Sequence, residues 1–368
     1  MTVGDRIFFP CQGVYLTDAK AGLADHFLNG VQSLAINNTL ATSFIRDVGK
    51  SQGSNLNLSP AMELTIERVM SNINDLLFDP LDPPTDYKTG FLLNSANLGT
   101  IVTGNPATDL RQFDLKVVYG DPNNANLSGT SRDIITYNRC LLTNLTYTMD
   151  TGGPFKESYT FGTKIANKLA NTTVPANNTP ITLSGNREIL MRQHFDVVNS
   201  ILPTEVSSIA NVGDSFMGSP VYRITSLKIE VNLNYSRKVD IGRWRGADVQ
   251  SQLNMWTSVN LPIEITCTFE IDTTKAYVNS ILNSDKNFTD QRIVAVLKSK
   301  NDTTGTIRYY VFDLGLKNRL TSLGYSGGST SGERVSCSLS YKNSNNDFAI
   351  YTRTDTNIDQ IKQNTESY

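Results

Sequence analysis

The chain has 368 residues, a formal net charge of −2 and only 18% charged residues. That balance excludes the broad electrostatic attraction that a DNA-gripping or acidic-membrane-binding protein uses. The length favours two domains with separate cores. The start places Asp5 and Arg6 ahead of a short apolar stretch, unlike an export signal, and no later run reaches the ~18 apolar residues of a membrane-spanning helix. Cys11, Cys140, Cys267 and Cys337 are scattered without ligand spacing, and are expected to be reduced apolar fillers.

Taken in chain order, the first strong signal is an internal echo. Ser33 through Lys50 recurs at a constant spacing of 193 residues as Ser226 through Arg243, with seven of eighteen positions identical: Ser33, Leu34, Ile36, Leu40, Ser43, Asp47 and Gly49. Average composition would give about one. Glu63-Leu64-Thr65 then returns as Glu264-Ile265-Thr266, and Leu142 through Tyr147 returns as Leu320 through Tyr325. Ordered matches separated by unequal loops are the mark of a duplicated fold.

Within each copy the pattern is β. Leu34, Ile36 and Leu40, then Met62, Leu64 and Ile66, then Tyr159 and Phe161 mark strands of the first copy. In the second, Leu227, Ile229, Val231, Leu233 and Tyr235 alternate with polar residues, as do Ile263 to Ile271 and Val335 to Tyr341. A two-residue period sends the apolar side chains to one sheet face. Short helices are expected after the Glu-x-Thr strands, over Val69, Ile73, Leu76 and Leu77 and over Tyr277, Val278, Ile281 and Leu282, the latter capped by Thr273 or Thr274. The fold class expected is therefore all-β with minor helix: two tandem β-barrel or sandwich domains, each with one short helix. The boundaries fall at 1–165 for the first domain with its N-terminal arm, 166–221 for a linker that packs between copies, 222–345 for the second domain and 346–368 for a polar tail. Asn171 to Pro180 reads as a surface loop, and Glu188 to Val206 as a segment that packs on one copy.

Chemistry is hard to find. His26 and His194 each lack a second histidine at metal spacing, and a structural role is the simpler reading of both. Glu63 and Glu264 recur through the echo, which favours structure or subunit contact over an acid–base pair. Gly152-Gly153 and Gly327-Gly328 are not followed by Gly-Lys-Ser/Thr and read as hairpin turns, where glycine permits positive φ. Asn37-Asn38-Thr39, Asn144-Leu145-Thr146 and Asn234-Tyr235-Ser236 match the glycosylation triplet by chance in an Asn- and Thr-rich chain. No enzyme activity, cofactor or metal is expected. Arg243-Trp244-Arg245 could stack on single-stranded bases. Their place in a long connection that also carries Trp256 favours inter-subunit or ring-stacking contacts instead, joined by Lys50, the counterpart of Arg243.

These residues resemble a family. Asp5-Arg6-Ile7-Phe8 with Cys11-Gln12, Gly30 to Ser33 leading to Asp47-Val48-Gly49, Pro60 through Arg68, Arg192 through Val206 and Leu316 through Tyr341 are similar to segments of the tail-tube-like virion structural proteins of large tailed bacteriophages. Arg243 to Ser258 departs from that pattern in its tryptophans. The resemblance implies β-barrels set side by side in stacked rings, a homo-oligomeric tube in the virion tail, assembled in the host cytoplasm beside other tail proteins. DNA passes through such a tube without specific binding, and no membrane is involved. Three chains in a pseudo-sixfold ring and six chains in a sixfold ring both satisfy two domains per chain. A baseplate hub, distal tail or neck adaptor is the nearest alternative, and a carbohydrate-binding β protein is the alternative of another class.

Overall fold

The computed structural model describes residues 12–18, 26–28, 30–39, 42–45, 54–57, 61–71, 113–119, 131–163, 165–173, 188–197, 199–210, 215–216, 219–220, 223–233, 235–239, 255–259, 263–274, 289–300, 307–326, 334–344 and 348–353. They are almost all strand, and the pairings are antiparallel. The strands run β1 (Gln12–Asp18), β2 (His26–Phe27), β3 (Val31–Thr39), β4 (Thr42–Ile45), β5 (Ser54–Asn57), β6 (Ala61–Val69), β7 (Phe113–Tyr119), β8 (Ser131–Asp150), β9 (Lys156–Thr163) and β10 (Ile165–Thr173). After a helix α1 (Thr204–Ala210) follow β11 (Ser215–Phe216), β12 (Ser219–Pro220), β13 (Ile224–Asn232), β14 (Tyr235–Val239), β15 (Met255–Val259), β16 (Glu264–Thr274), β17 (Val294–Lys300), β18 (Ile307–Asp313), β19 (Arg319–Ser326), β20 (Arg334–Asn343) and β21 (Ala349–Arg353).

The chain divides into two compact units. One comprises Met1–Arg68, Leu110–Thr143 and Ser158–Ser184; the other comprises Val69–Asp109, Asn144–Glu157 and Gly185–Tyr368. In the first unit Leu64, Ile66, Phe113, Leu115 and Phe161 are buried, with the Phe113 and Phe161 rings edge-on at 6.1 Å. In the second, β13, β16 and β20 bury every alternate residue from Leu227 to Val231, Ile265 to Ile271 and Val335 to Tyr341. This is the period read from the sequence. The β17–β18–β21 sheet supplies Val294, Val296, Val311 and Phe312 to that unit's core, where the Phe312 and Tyr147 rings meet edge-on at 4.8 Å.

The segment expected to pack on one copy does so within the second unit. Val294 N donates to Ile201 O and Asp196 N to Val296 O, both at 2.8 Å, and Glu205 at the start of α1 accepts from Tyr341 Oη at 2.9 Å. Three expectations need correction. Val69, placed in a helix by its spacing, is the last residue of β6, and the extended chain continues at Met70, whose N–H donates to Phe155 O at 2.8 Å; Ile73, Leu76 and Leu77, and Tyr277 to Leu282, lie outside the described residues. Asn171 to Thr173 belong to β10, where Thr172 and Thr173 pair with Arg132 and Ser131, so the loop starts later. Gly152 and Gly153 do form a turn, but positive φ occurs instead at Gly30 (76°) and Gly315 (84°). Thr151 N donating to Thr225 O at 3.0 Å anchors the Gly152 turn without a left-handed residue.

The strand pairings recur in order along the chain. β3–β6, β4–β5, β6–β9, β7–β8, β8–β9 and β8–β10 are matched by β13–β16, β14–β15, β16–β20, β17–β18, β19–β20 and β18–β21, with the single strand β8 answering to β18 and β19 together. Registers recur too. Leu34 faces Ile66 and Ser33 faces Glu67, as Leu227 faces Phe269 and Ser226 faces Glu270; a bulge follows Val31 in one and Ile224 in the other. Thr143 Oγ1 donates to Thr160 O at 3.0 Å while Thr65 Oγ1 meets Thr160 Oγ1 at 3.4 Å. At matching places Thr321 Oγ1 donates to Ser340 O at 3.1 Å and Thr268 Oγ1 to Ser340 Oγ at 3.2 Å. By this register Thr65 answers to Thr268, two residues beyond the Thr266 that sequence matching selects.

Candidate functional site: a polar sheet face and two open edges

The sequence-selected contact residues are largely outside this description. Lys50, Arg243, Trp244 and Arg245 lie outside the described residues. Trp256 lies in β15 and pairs with Lys238 of β14. β14 and β15 thus form a two-stranded ribbon, matched by the β4–β5 ribbon.

A surface the sequence reading passed over is more informative. In the second unit, register sets side chains of the C-terminal part of β8 and of β13, β16, β20 and β19 in rows across the sheet. One row runs Tyr147, Ile229, Cys267, Tyr341 and Leu320, all buried. Its neighbour runs Thr148, Lys228, Thr268, Ser340 and Ser322, and the next polar row runs Thr146, Glu230, Thr266, Lys342 and Arg319. Alternation puts the apolar rows on one face and the polar rows on the other. The polar face is stitched within itself: Lys228 Nζ lies 3.0 Å from Glu230 Oε2, Lys342 Nζ lies 2.7 Å from Glu264 Oε2, and Thr146 Oγ1 donates to Asn144 Oδ1 at 2.9 Å. Basic side chains are thus spent on neighbouring carboxylates, which leaves short hydroxyl and amide groups as the remainder of the surface. Glu264, selected earlier for its echo, is one of these partners; Glu63 is exposed on β6 opposite Asn37.

The β8–β13 pairing is closed by main-chain register from Asn144–Asn232 to Asp150–Ser226 and by side chains, with Asn144 Nδ2 donating to Asn232 Oδ1 at 2.5 Å and to Glu230 Oε1 at 3.2 Å. It buries Leu145, Tyr147, Ile229 and Val231 completely. By contrast β19 pairs only with β20, and β3 only with β6; β2, β10 and β21 likewise have one partner each among the described strands. On β19 Leu323 is half-buried and Tyr325 is 62% exposed; on β3 Leu34 and Ile36 are half-buried. The echo of Leu142–Tyr147 in Leu320–Tyr325 names the residues to compare, and the structure shows Tyr147 covered and Tyr325 bare.

Among the described residues, His194 and the three buried cysteines are tied into structure. His194 is buried in a 3-10 turn, its Nε2 at 2.7 Å from Glu188 Oε1 and its Nδ1 accepting from Met191 N at 2.9 Å. Burial pushes the Cys267 and Cys337 thiols above the ordinary thiol range, away from the reactive thiolate. Cys140 donates to Tyr137 O at 3.2 Å. Among the described residues no group of three histidine, cysteine or acidic side chains could hold a metal ion. A cavity of about 420 Å³ in the second unit is lined by Phe155, Arg192, Phe195, Arg223 and Asp272 among others. No helix of the described residues is long and apolar enough to cross a membrane.

No protein-family model and no curated protein matches the sequence. Among solved structures the chain is similar to one in the sixfold-symmetrised cryo-EM structure of the anti-feeding prophage baseplate, at 12% identity and a TM-score of 0.28. The likeness covers 47% of this chain and 97% of that one, and at this level it assigns neither fold nor function.

Proposed function

We propose that the chain is a non-enzymatic structural component of a phage virion tail, a tube-forming subunit that assembles into rings and stacks them into a DNA conduit. The observation that carries this reading is the recurrence of one pairing scheme, bulge and hydroxyl contact set within a single chain. We read that recurrence as an internal duplication, so that each chain brings two equivalent sheet segments to a ring. A face of Ser, Thr and Asn with its lysines paired to glutamates supports a lumen along which phosphate backbones slide without sticking, because binding would need unpaired cations. The sequence resemblance to tail-tube-like proteins points the same way.

Negative-stain microscopy of the purified chain at rising concentration tests the proposal. Rings and polytubes are the expected outcome; rings that never stack would favour a baseplate hub or neck adaptor. A chain that stays a discrete oligomer and binds glycan saturably would replace the proposal with the carbohydrate-binding reading. Gel-shift titration with duplex DNA at 0.15 M salt should show no retarded complex.

A further inference from the structure

Of these edge strands β19 and β3 are not alike, and the chain itself contains a pattern for joining them. β19 is the counterpart of the C-terminal part of β8, through the Leu142–Tyr147 echo and the matched Thr143 and Thr321 contacts. β3 is the counterpart of β13, through the 193-residue echo and the matched bulges. Within the chain, β8 and β13 pair with each other. The counterparts of the residues buried in that pairing are the apolar side chains left uncovered on β19 and β3: Tyr325 for Tyr147, Leu323 for Leu145, Ile36 for Ile229.

We propose that β19 of one chain pairs antiparallel with β3 of a second copy, in the register Ser322–Thr39, Gly324–Asn37 and Ser326–Ala35, so that each junction between chains repeats the β8–β13 junction inside a chain. The register is fixed by transferring Asn144–Asn232, Thr146–Glu230 and Thr148–Lys228 through the two echoes. A slip of one residue would turn Tyr325 to the polar face; the transferred register sets it against Ile36 on the apolar one. Asn38 takes the place of Val231, so the apolar row is interrupted there. A contact between two unlike surfaces of identical chains is heterologous, and it closes into a ring when the rotation per chain permits. This inference rests on the assembly reading above, and it adds the partner, the strands and the register.

Chains with one added cysteine each separate the possibilities. Asn37 and Gly324 are exposed positions on the polar faces of their strands, and residues directly opposite across an antiparallel pair fall within disulfide reach. N37C and G324C are purified separately, checked for unchanged melting, mixed and oxidised. The expected product is a disulfide-linked dimer of one chain of each kind, several-fold more abundant than in either variant alone or in a mixture of N37C with S322C. Because each chain carries only one of the two new thiols, closure of β3 on β19 within one chain cannot produce it. As a second readout, Tyr325→Lys and Ile36→Lys should each raise the concentration needed for rings roughly tenfold, since an edge lysine blocks strand addition. Rings without the cross-link, or a cross-link equally strong with S322C, would overturn the register while leaving the assembly reading intact. Absence of both rings and cross-link would remove both.

Discussion

Arg68 is 1% exposed, yet it stands in a β-sheet core. Its Nη2 donates to Tyr159 Oη at 2.6 Å, and its guanidinium lies 5.2 Å from the centre of the Tyr159 ring. A buried guanidinium needs such partners, and losing one costs more than a neutral hydrogen bond would. Tyr159→Phe keeps the ring and removes the hydroxyl, so it should destabilise the protein by about 1.5–3 kcal/mol in urea titration. By the recurring registers the same places in the second unit are taken by Ile271 and Leu339, both buried. A sequence pattern that scores apolar alternation skips Arg68 for that reason: its burial depends on Tyr159, 91 positions away. Cys267 gives a second test at this scale. Its thiol is held above the ordinary range by burial, so folded and unfolded chains are both protonated below about pH 8.5. Above that pH the unfolded chain gives up the proton while the folded chain keeps it, so stability is whole at neutral pH and falls as pH rises. Urea midpoints at pH 7.5 and 9.5 should converge in Cys267→Ala relative to the wild type, and native Cys267 should resist thiol reagents until denaturant is added.

The elements differ in how openly the sequence announces them. β13, β16 and β20 alternate cleanly because one face of each is core and the other is solvated, and burial follows the pattern within Leu227 to Val231, Ile265 to Ile271 and Val335 to Tyr341. β3 is harder to read: Leu34 and Ile36 are only half-buried, and polar neighbours dilute the period. The β8 run contains two successive patterns, and nothing local says that it continues unbroken for 20 residues while its counterpart is split into β18 and β19. The split is made by Leu314 to Asn318. Gly315 adopts φ 84°, its N–H donates to Asp313 Oδ1 at 3.1 Å, and its carbonyl accepts from Asn318 Nδ2 at 2.8 Å. Gly315→Ala should therefore cost about 1–2 kcal/mol in thermal or urea unfolding, from the left-handed backbone alone. The β14–β15 arm carries Trp256 opposite Lys238. A two-stranded ribbon gains little stability by itself. Replacing Trp244 and Trp256 together by Ala should lower ring stacking, read as polytube length, well before it lowers the melting temperature.

For the whole molecule, the β character of the described residues was legible in the sequence, and the echo anticipated the order in which the strand pairings recur. The edges on which the proposed assembly rests were not legible there. The tryptophans and arginines of the 243–256 region drew attention because such residues are common in interfaces. The open edges consist of ordinary strand residues, and they differ from their covered counterparts only in what lies beside them. Only the neighbouring strand distinguishes them: Tyr147 and Tyr325 look equivalent in sequence, while one is 0% and the other 62% exposed.

Unlike edges also have a consequence in mixtures. In the proposed β19-to-β3 assembly, a chain blocked at β19 alone would still present a sound β3, joining a growing arc from one side and refusing the next arrival. Such a chain would act as a terminator. Doping wild-type protein with a minor fraction of Tyr325→Lys should deplete closed rings well beyond that fraction, because a single blocked joint spoils every ring it enters. Counting closed and open particles against the doping ratio would reveal how many chains complete the circle.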